Sequence, residues 1–193
     1  MWLEEVERLL AASPIRRRPP ADGQASAAVL VPLYVGGGAL WVVLTRRSDS
    51  LPNHGGQYAF PGGAREDGDE DEVATALREA HEELDVDPSV VVVLGQLDDV
   101  WTPSGFVISP VVGALPYPLA VSPSGEEVQT VVPVPLGCVA NPEAVETEDL
   151  IIGGERISSP VFHYRGHRIW GATARIVSDL VSRLTGVSVA PVE

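Results

Sequence analysis

Four glutamates in the middle of the chain are spaced as ligands of a metal ion could be. If residues 70–86 form a helix, Glu72, Glu79, Glu82 and Glu83 share one face. Like charges three or four positions apart destabilise a helix by roughly 0.2–0.5 kcal/mol per pair. A hard divalent cation among the carboxylates would remove that repulsion, and Mg²⁺ prefers oxygen ligands. The alternative is a solvated acidic face, and the spacing favours the metal site.

The same segment carries an apolar stripe that would hold the helix against a core. At about 100° per residue, the small and apolar side chains of this segment fall within about 100° of one another. They are Val73, Ala76, Leu77, Ala80 and Leu84. The pattern predicts an amphipathic helix over residues 70–86, with its carboxylates beside the buried face.

Strands are expected on both sides of this helix in the sequence. Two apolar runs, 27–35 and 39–47, flank a glycine turn and predict a hairpin of buried strands. Further strands are expected at 57–60, 89–97, 106–114 and 127–134, a hairpin at 161–169, and helices at 2–12 and 170–184. Strands interleaved with two substantial helices predict an α/β sandwich with a mixed sheet.

The composition and charge of the chain indicate a globular protein and argue against several other classes. The chain has 193 residues, 45% of them hydrophobic, and a net charge of −14, so we expect a globular protein that does not bind nucleic acids generally. Residues 62–87 hold eleven acids and two arginines, or −9 of the total. The acidic N-terminus is unlike a signal peptide, and Pro32 with three glycines interrupts the uncharged stretch 26–44. We therefore expect a cytoplasmic protein without a membrane span.

The acidic segment and the glycine turn before it resemble the signature of the Nudix hydrolases. The stretch reads GGAREDGDEDEVATALREAHEELDV, and REAHEE from Arg78 fits the most specific part of that signature. It departs in having Asp69 at the first acidic position, one residue more before Arg78, and Asp85 in place of a glycine. These departures, and the upstream LTRRSDSLPNHGGQYAFPGG at 44–63, resemble the coenzyme A pyrophosphatase branch. Downstream, TPSGFVISPVVG and GHRIWGATARI are also similar to it.

The resemblance implies a fold and a reaction. The fold would be a Nudix-type α/β/α sandwich with a mixed sheet. The reaction would be metal-dependent hydrolysis of the pyrophosphate bond of coenzyme A or its derivatives, giving 3′,5′-ADP and a 4′-phosphopantetheine product. The alternatives are a Nudix pyrophosphohydrolase for ADP-ribose, dinucleotides or oxidised nucleotides, and a Nudix protein that binds nucleotides without catalysis.

The resemblance also implies roles for the acidic residues. Glu79 and Glu83 would be the principal ligands of Mg²⁺ or Mn²⁺, with Glu82 and the carbonyl of Gly63 as further ligands. Glu82 and Glu127 are both candidates for the general base, because Nudix enzymes take it either from the signature helix or from a separate loop.

Basic residues would orient these groups and the substrate. Arg78 is expected to hold the carboxylates in place by bidentate pairing. Arg47, with Arg46, is the candidate phosphate contact, because a guanidinium group matches phosphate oxygens in pairs. His54 belongs to the upstream element and is a candidate substrate contact. For the arginines and for His54, a purely structural role is the alternative.

The expected organisation is one domain with short flanks. Residues 1–24 would form an N-terminal helix and a basic lead-in, 25–187 a single Nudix domain, and 188–193 a short tail. The expected partner is a small-molecule substrate, with no nucleic acid and no membrane, and a homodimer is left open.

Overall fold

A mixed β-sheet between two layers of helices positions the acidic helix. The computed structural model describes residues 2–52, 55–141, 143, 145–152 and 154–186. The helices in these ranges are α1 (Leu3–Ala11), α2 (Glu72–Leu84), α3 (Leu136–Val139) and α4 (Gly171–Thr185). The strands are β1 (Ala25–Gly36), β2 (Ala39–Arg47), β3 (Tyr58–Ala59), β4 (Gly62–Ala64), β5 (Val92–Gln96), β6 (Val100–Trp101), β7 (Phe106–Ala114), β8 (Val128–Pro135), β9 (Glu146–Ile152), β10 (Glu155–Tyr164) and β11 (His167–Ile169).

Strand β1 lies at the centre of the larger sheet, which in the described residues contains β1 to β8. It pairs antiparallel with β2 and β4 and parallel with β7. Both of its faces are covered, which explains its nearly uninterrupted apolar sequence. Gly37 and Gly38, both with positive φ, form the turn into β2, so the predicted hairpin is confirmed.

The two faces of this sheet pack against different helices. On one face, Ala76, Ala80 and Leu84 of α2 pack with Ala28 and Leu30 of β1. On the other face, α1 and α4 share a second apolar cluster with residues of β1, β2 and β7. The α/β/α sandwich with a mixed sheet is therefore confirmed. No helix among the described residues is long and apolar enough to cross a membrane.

The N-terminal helix belongs to this core. Val6 and Leu10 of α1 are almost fully buried beside α4. The helix thus contributes core residues although it precedes the boundary predicted at residue 25. The division into 1–24, 25–187 and 188–193 stays a prediction, and the predicted tail lies outside the described residues.

Helix α2 is shorter than predicted by two residues at each end. Asp71 caps its N-terminus, where its carboxylate accepts a hydrogen bond from the Ala74 amide at 2.9 Å. Asp85 ends it in the left-handed conformation at φ 55°. The strand predicted at 89–97 is likewise shorter, because Pro88–Val90 forms a 3₁₀ turn capped by Asp87.

A second sheet, β9–β10–β11, was only partly predicted. The turn at Arg165 and Gly166 joins β10 to β11 as expected. Strand β9, with the sequence ETEDLII, was missed because it is acidic and lacks an apolar alternation. It pairs with β10 over seven residue positions.

The close approach of β4 to β1 generates a prediction about stability. A Cβ atom on Gly62 would lie 2.6 Å from the Val29 Cα and would also overlap the Ala28 carbonyl oxygen. Because both obstacles are backbone atoms, Gly62→Ala should lower the free energy of unfolding by about 1–3 kcal/mol. Urea unfolding monitored by circular dichroism measures this change. Gly68→Ala is the control, since nothing lies within 4 Å of its Cβ position; equal unfolding midpoints for the two variants would contradict the prediction.

Candidate active site

The glycine pair of β4 brings two glutamates of α2 against the sheet. A Cβ atom on Gly63 would lie 2.6 Å from Glu79 Cδ and 2.8 Å from Glu79 Oε2. A backbone hydrogen bond from Gly62 reaches the Glu83 carboxylate. Glu79 could not approach β4 this closely if residue 63 carried a side chain, whereas a side chain at residue 62 would meet Ala28 and Val29 of β1. Gly63 therefore makes room for the Glu79 carboxylate, and Gly62 lets β4 lie against β1.

Arg78 joins four acidic residues around the start of this helix face. Its Nε and Nη2 each lie 3.1 Å from one oxygen of Asp69, which is a bidentate pair. Its Nη1 donates to Glu79 Oε1 at 2.9 Å and to Glu82 Oε2 at 3.3 Å, and it lies 3.9 Å from Glu66 Oε1. The predicted bidentate pairing is thus made with Asp69, while Glu79 and Glu82 each accept a single bond from Arg78 Nη1.

Asp69 was not predicted as a site residue, although it stands at the first acidic position of the signature. Besides Arg78, it accepts hydrogen bonds from the Glu66 amide at 2.9 Å and from Thr75 Oγ1 at 3.0 Å. The bonds from Arg78 and Glu66 hold its pKa far below the ordinary value. Its carboxylate is therefore a fixed negative anchor for Arg78. In the sequence, the only indication of this role is that Asp69 stands at the first acidic position, with one residue more than usual before Arg78.

Glu83 is a buried carboxyl group close to other acids. It is 5% exposed, and burial raises its pKa to about 8, with further contributions from the charges of Glu127 and Glu79. The charge of Arg47 and the Gly62 hydrogen bond act in the opposite direction. Burial also raises the pKa of Glu79, against the hydrogen bond from Arg78. Both groups would bind a proton or a cation favourably.

The segment after β7 brings Glu127 to this cluster. Its Ser122 and Ser124 amides donate to the Leu84 and Glu83 carbonyl oxygens at 2.8 and 2.9 Å, which satisfies the C-terminal end of α2. Farther along, the Ser48 amide donates to the Glu127 carbonyl oxygen at 2.8 Å. Glu127 itself is exposed at the start of β8. Two residues predicted from separate parts of the chain, Glu83 and Glu127, are thereby brought together.

The two arginines at the end of β2 have different surroundings. Arg46 forms a bidentate pair with Asp49, at 2.8 and 3.2 Å. Arg47 is half-buried near Glu83, and its Nε is buried without a hydrogen-bond partner among the described residues. The guanidinium group of Arg46 is thus paired with a carboxylate, whereas Arg47 forms no ion pair within 4 Å among the described residues. His54, the third predicted substrate contact, lies outside the described residues.

The donor set fits a hard divalent cation in its chemistry. Glu79 and Glu83 supply carboxylate oxygens, the ligands that Mg²⁺ and Mn²⁺ prefer. The raised pKa values of both groups mean that their ionised forms are destabilised here and would be stabilised by a bound cation. Within the described part of the chain, however, no three His, Cys, Asp or Glu side chains converge on a point that could hold a metal ion. Glu79 and Glu82 accept hydrogen bonds from the same Arg78 nitrogen, at 2.9 and 3.3 Å.

Comparison with known proteins identifies the family. A family model of the NUDIX domain matches residues 24–144. This chain belongs to the Nudix hydrolase family. It is 36% identical over 164 residues to an uncharacterized Nudix hydrolase, NudL, of Photorhabdus laumondii, covering 85% of this chain and 87% of that protein. It is 37% identical over 158 residues to NudL of Escherichia coli K12, covering 82% of each.

The fold agrees with the family. A Nudix hydrolase from Alicyclobacillus acidocaldarius superposes with a TM-score of 0.58 at 18% identity, covering 87% of this chain and 98% of that one. The Nudix chain described here is accordingly a hydrolase acting on pyrophosphate bonds, and Nudix hydrolases generally use divalent metal ions.

The raised pKa of Glu83 generates a prediction about stability and pH. An ordinary glutamate loses its proton near pH 4.5, whereas folded Glu83 keeps it until about pH 8. Between these values unfolding releases a proton, so the metal-free protein should lose stability as pH rises, by up to about 1.4 kcal/mol per pH unit. Glu83→Gln should flatten this slope in urea unfolding measured with a chelator from pH 5 to pH 8.

Glu82→Gln serves as the matched control on the same helix, because the Glu82 side chain is 56% exposed. It should retain the slope of the wild type. A wild-type slope that persists in Glu83→Gln would show that the buried carboxyl group is not its source.

Proposed function

We propose that this Nudix hydrolase cleaves the pyrophosphate bond of coenzyme A or its derivatives, giving 3′,5′-ADP and a 4′-phosphopantetheine product. One observation carries the proposal: the element at 44–63 that resembles the coenzyme A branch borders the carboxylate cluster. It contributes Arg47 beside Glu83 and the glycine pair against Glu79 and Glu83. The same segment, 44–63, thus resembles that branch in sequence and lies next to the proposed metal ligands.

The proposed metal ligands are Glu79 and Glu83, with Glu82 and the Gly63 carbonyl oxygen as further ligands. Mg²⁺ or Mn²⁺ bound there would neutralise charge on the phosphoryl oxygens and acidify a water molecule. A pyrophosphate would otherwise be repelled by the carboxylates of this cluster. Arg78, held by Asp69, keeps Glu79 and Glu82 in position.

In the proposed reaction the oxygen of water bonds to one phosphorus, and the bridging oxygen leaves with the other phosphate as a proton is released. Arg47 donates to the pyrophosphate through its guanidinium group. For the general base we favour Glu127 over Glu82. Glu82 is bound to Arg78, whereas no hydrogen bond holds the Glu127 carboxylate within the described residues, so Glu127 can turn toward a water molecule.

Incubation with substrate tests the activity directly. The purified chain with Mn²⁺ should convert coenzyme A to 3′,5′-ADP, detected by mass spectrometry. In a panel with acetyl coenzyme A, coenzyme A disulfide, ADP-ribose and a diadenosine polyphosphate, kcat/KM should be highest for a coenzyme A compound. Absence of 3′,5′-ADP at every enzyme concentration would refute the proposal. A higher kcat/KM for ADP-ribose or the diadenosine polyphosphate would show that the preferred substrate is that compound and not a coenzyme A derivative.

A single substitution separates an enzyme from a binding protein. Glu83→Gln should lower kcat by about two orders of magnitude or more, because the buried ligand is lost, and the exposed Glu126→Gln should not. Coenzyme A binding without turnover in the wild type would identify the chain as a non-catalytic nucleotide-binding protein.

Arg47→Lys should lower kcat/KM for coenzyme A by about 10- to 100-fold, because lysine cannot replace a forked contact to phosphate. Arg46→Lys is the matched comparison one residue away, and it should have a smaller effect because Arg46 is paired with Asp49. Initial-rate kinetics measure both variants. A greater loss for Arg46→Lys would reverse the assignment of the phosphate contact.

Two further expectations stay predictions. They are the cytoplasmic location and the absence of nucleic-acid and membrane partners, and the homodimer stays open. The proposed partner is a small-molecule substrate.

A further inference from the structure

A pocket of about 270 Å³ lies between the N-terminal half of α2, the basic lead-in and β7. Its lining includes Glu72 and Thr75 of α2 and Ser109 of β7, but none of the residues assigned to the proposed active site. Its charged lining residues are Arg17, Arg18, Arg65, Glu72 and Asp99. The pocket is therefore separate from the proposed active site, and we call it the arginine pocket.

The basic lead-in is docked onto the domain by Asp99. The Asp99 carboxylate, 4% exposed, accepts from Arg17 Nη1 at 2.9 Å and from the Arg18 amide at 2.7 Å. It also accepts from Ser109 Oγ at 2.8 Å. Asp99 is thus fully engaged in holding the backbone and Arg17, which leaves it little capacity to neutralise a further cation.

Two guanidinium groups of the pocket are not neutralised in this way. The Arg18 guanidinium lies 3.4 Å from the centroid of the Trp101 ring. Arg65 donates to the carbonyl oxygens of Asp69 and Glu70, at 3.1 and 2.8 Å. In the described residues neither group forms an ion pair with a carboxylate. Stacking and carbonyl contacts orient both groups but leave their positive charge available.

Arg175 adds to the positive charge behind the pocket. It donates to the Trp101 carbonyl oxygen at 2.8 Å, on the residue whose ring supports Arg18. Its pKa is lowered, first by burial and then by the charge of Arg18. The lining of the pocket thus contains three arginines and two acids, Asp99 and Glu72, and Arg175 adds a further cation near Arg18, in a chain whose net charge is −14. A local excess of positive charge favours an anion here.

We propose that the arginine pocket binds the phosphate group of a small phosphorylated ligand, or inorganic phosphate, between Arg18 and Arg65. Planar guanidinium groups match phosphate oxygens in pairs. The volume is just below the range of about 300–1,000 Å³ typical of drug-sized ligands, which fits a phosphate group better than a whole dinucleotide. This site is independent of the proposed function, and a bound phosphate would join the lead-in to the start of α2.

Titration of the full chain with inorganic phosphate tests the proposal. With a chelator present and ionic strength held constant with chloride, calorimetry should show saturable binding. Tryptophan emission should change in parallel, because Arg18 stacks on Trp101. Arg18→Gln and Arg65→Gln should each weaken binding about tenfold or more. Trp101→Phe should remove the emission change.

Arg16→Gln is the matched control in the same basic run. The Arg16 side chain is 79% exposed and pairs with Asp98, so its replacement should leave phosphate binding unchanged. No saturable binding, or equal weakening in Arg16→Gln and Arg18→Gln, would overturn the proposal. A parallel titration with glycerol 3-phosphate distinguishes the sources: tighter binding than inorganic phosphate favours a phosphorylated metabolite, and weaker binding favours the free ion.

Discussion

The contact between two glycines of β4 and two glutamates of α2 is the constraint on which the site depends. Because Gly63 has no side chain, Glu79 of α2 can lie against β4, and because Gly62 has none, β4 can lie against β1. Glu83 is buried beside them, at 5% exposure. Burial raises the pKa of both carboxyl groups, and the charges of neighbouring glutamates, Glu127 among them, add to the effect on each. A glutamate pair held in this way is stabilised by binding a cation or a proton.

The rest of the fold keeps that contact in place. Strand β1 holds β4 on one edge and β7 on the other, while α2 packs its small residues across β1. Arg78, anchored by Asp69, balances part of the charge, and the segment before Glu127 covers the end of α2. The arrangement brings residues from four separate parts of the sequence together around one cluster of carboxylates.

Local patterns were enough to predict much of this structure. Helix α2 could be predicted because its apolar stripe has the period of an α-helix. The hairpin could be predicted because a glycine turn separates the two apolar runs of β1 and β2. Strand β9 did not, because its stability comes from pairing with β10 and not from an apolar face. The pairing of Arg78 with Asp69 was missed for a similar reason, since it depends on how the loop before α2 folds back. The arginine pocket forms only because the lead-in contacts Asp99, which is 81 positions away from Arg18 in the sequence. A contact at that separation cannot be predicted from a local sequence pattern.

The most direct test of the central claim is proton release when Mn²⁺ binds. At pH 7 the metal-free protein should carry a proton on Glu83, whose pKa is about 8, and binding of a cation to the ionised carboxylate must release it. Calorimetry in buffers of different ionisation enthalpy should show about one proton released at pH 7, declining toward zero at pH 9. Glu83→Gln should bind Mn²⁺ more weakly and release none. Tight Mn²⁺ binding without proton release, or equal release from Glu83→Gln, would contradict the account.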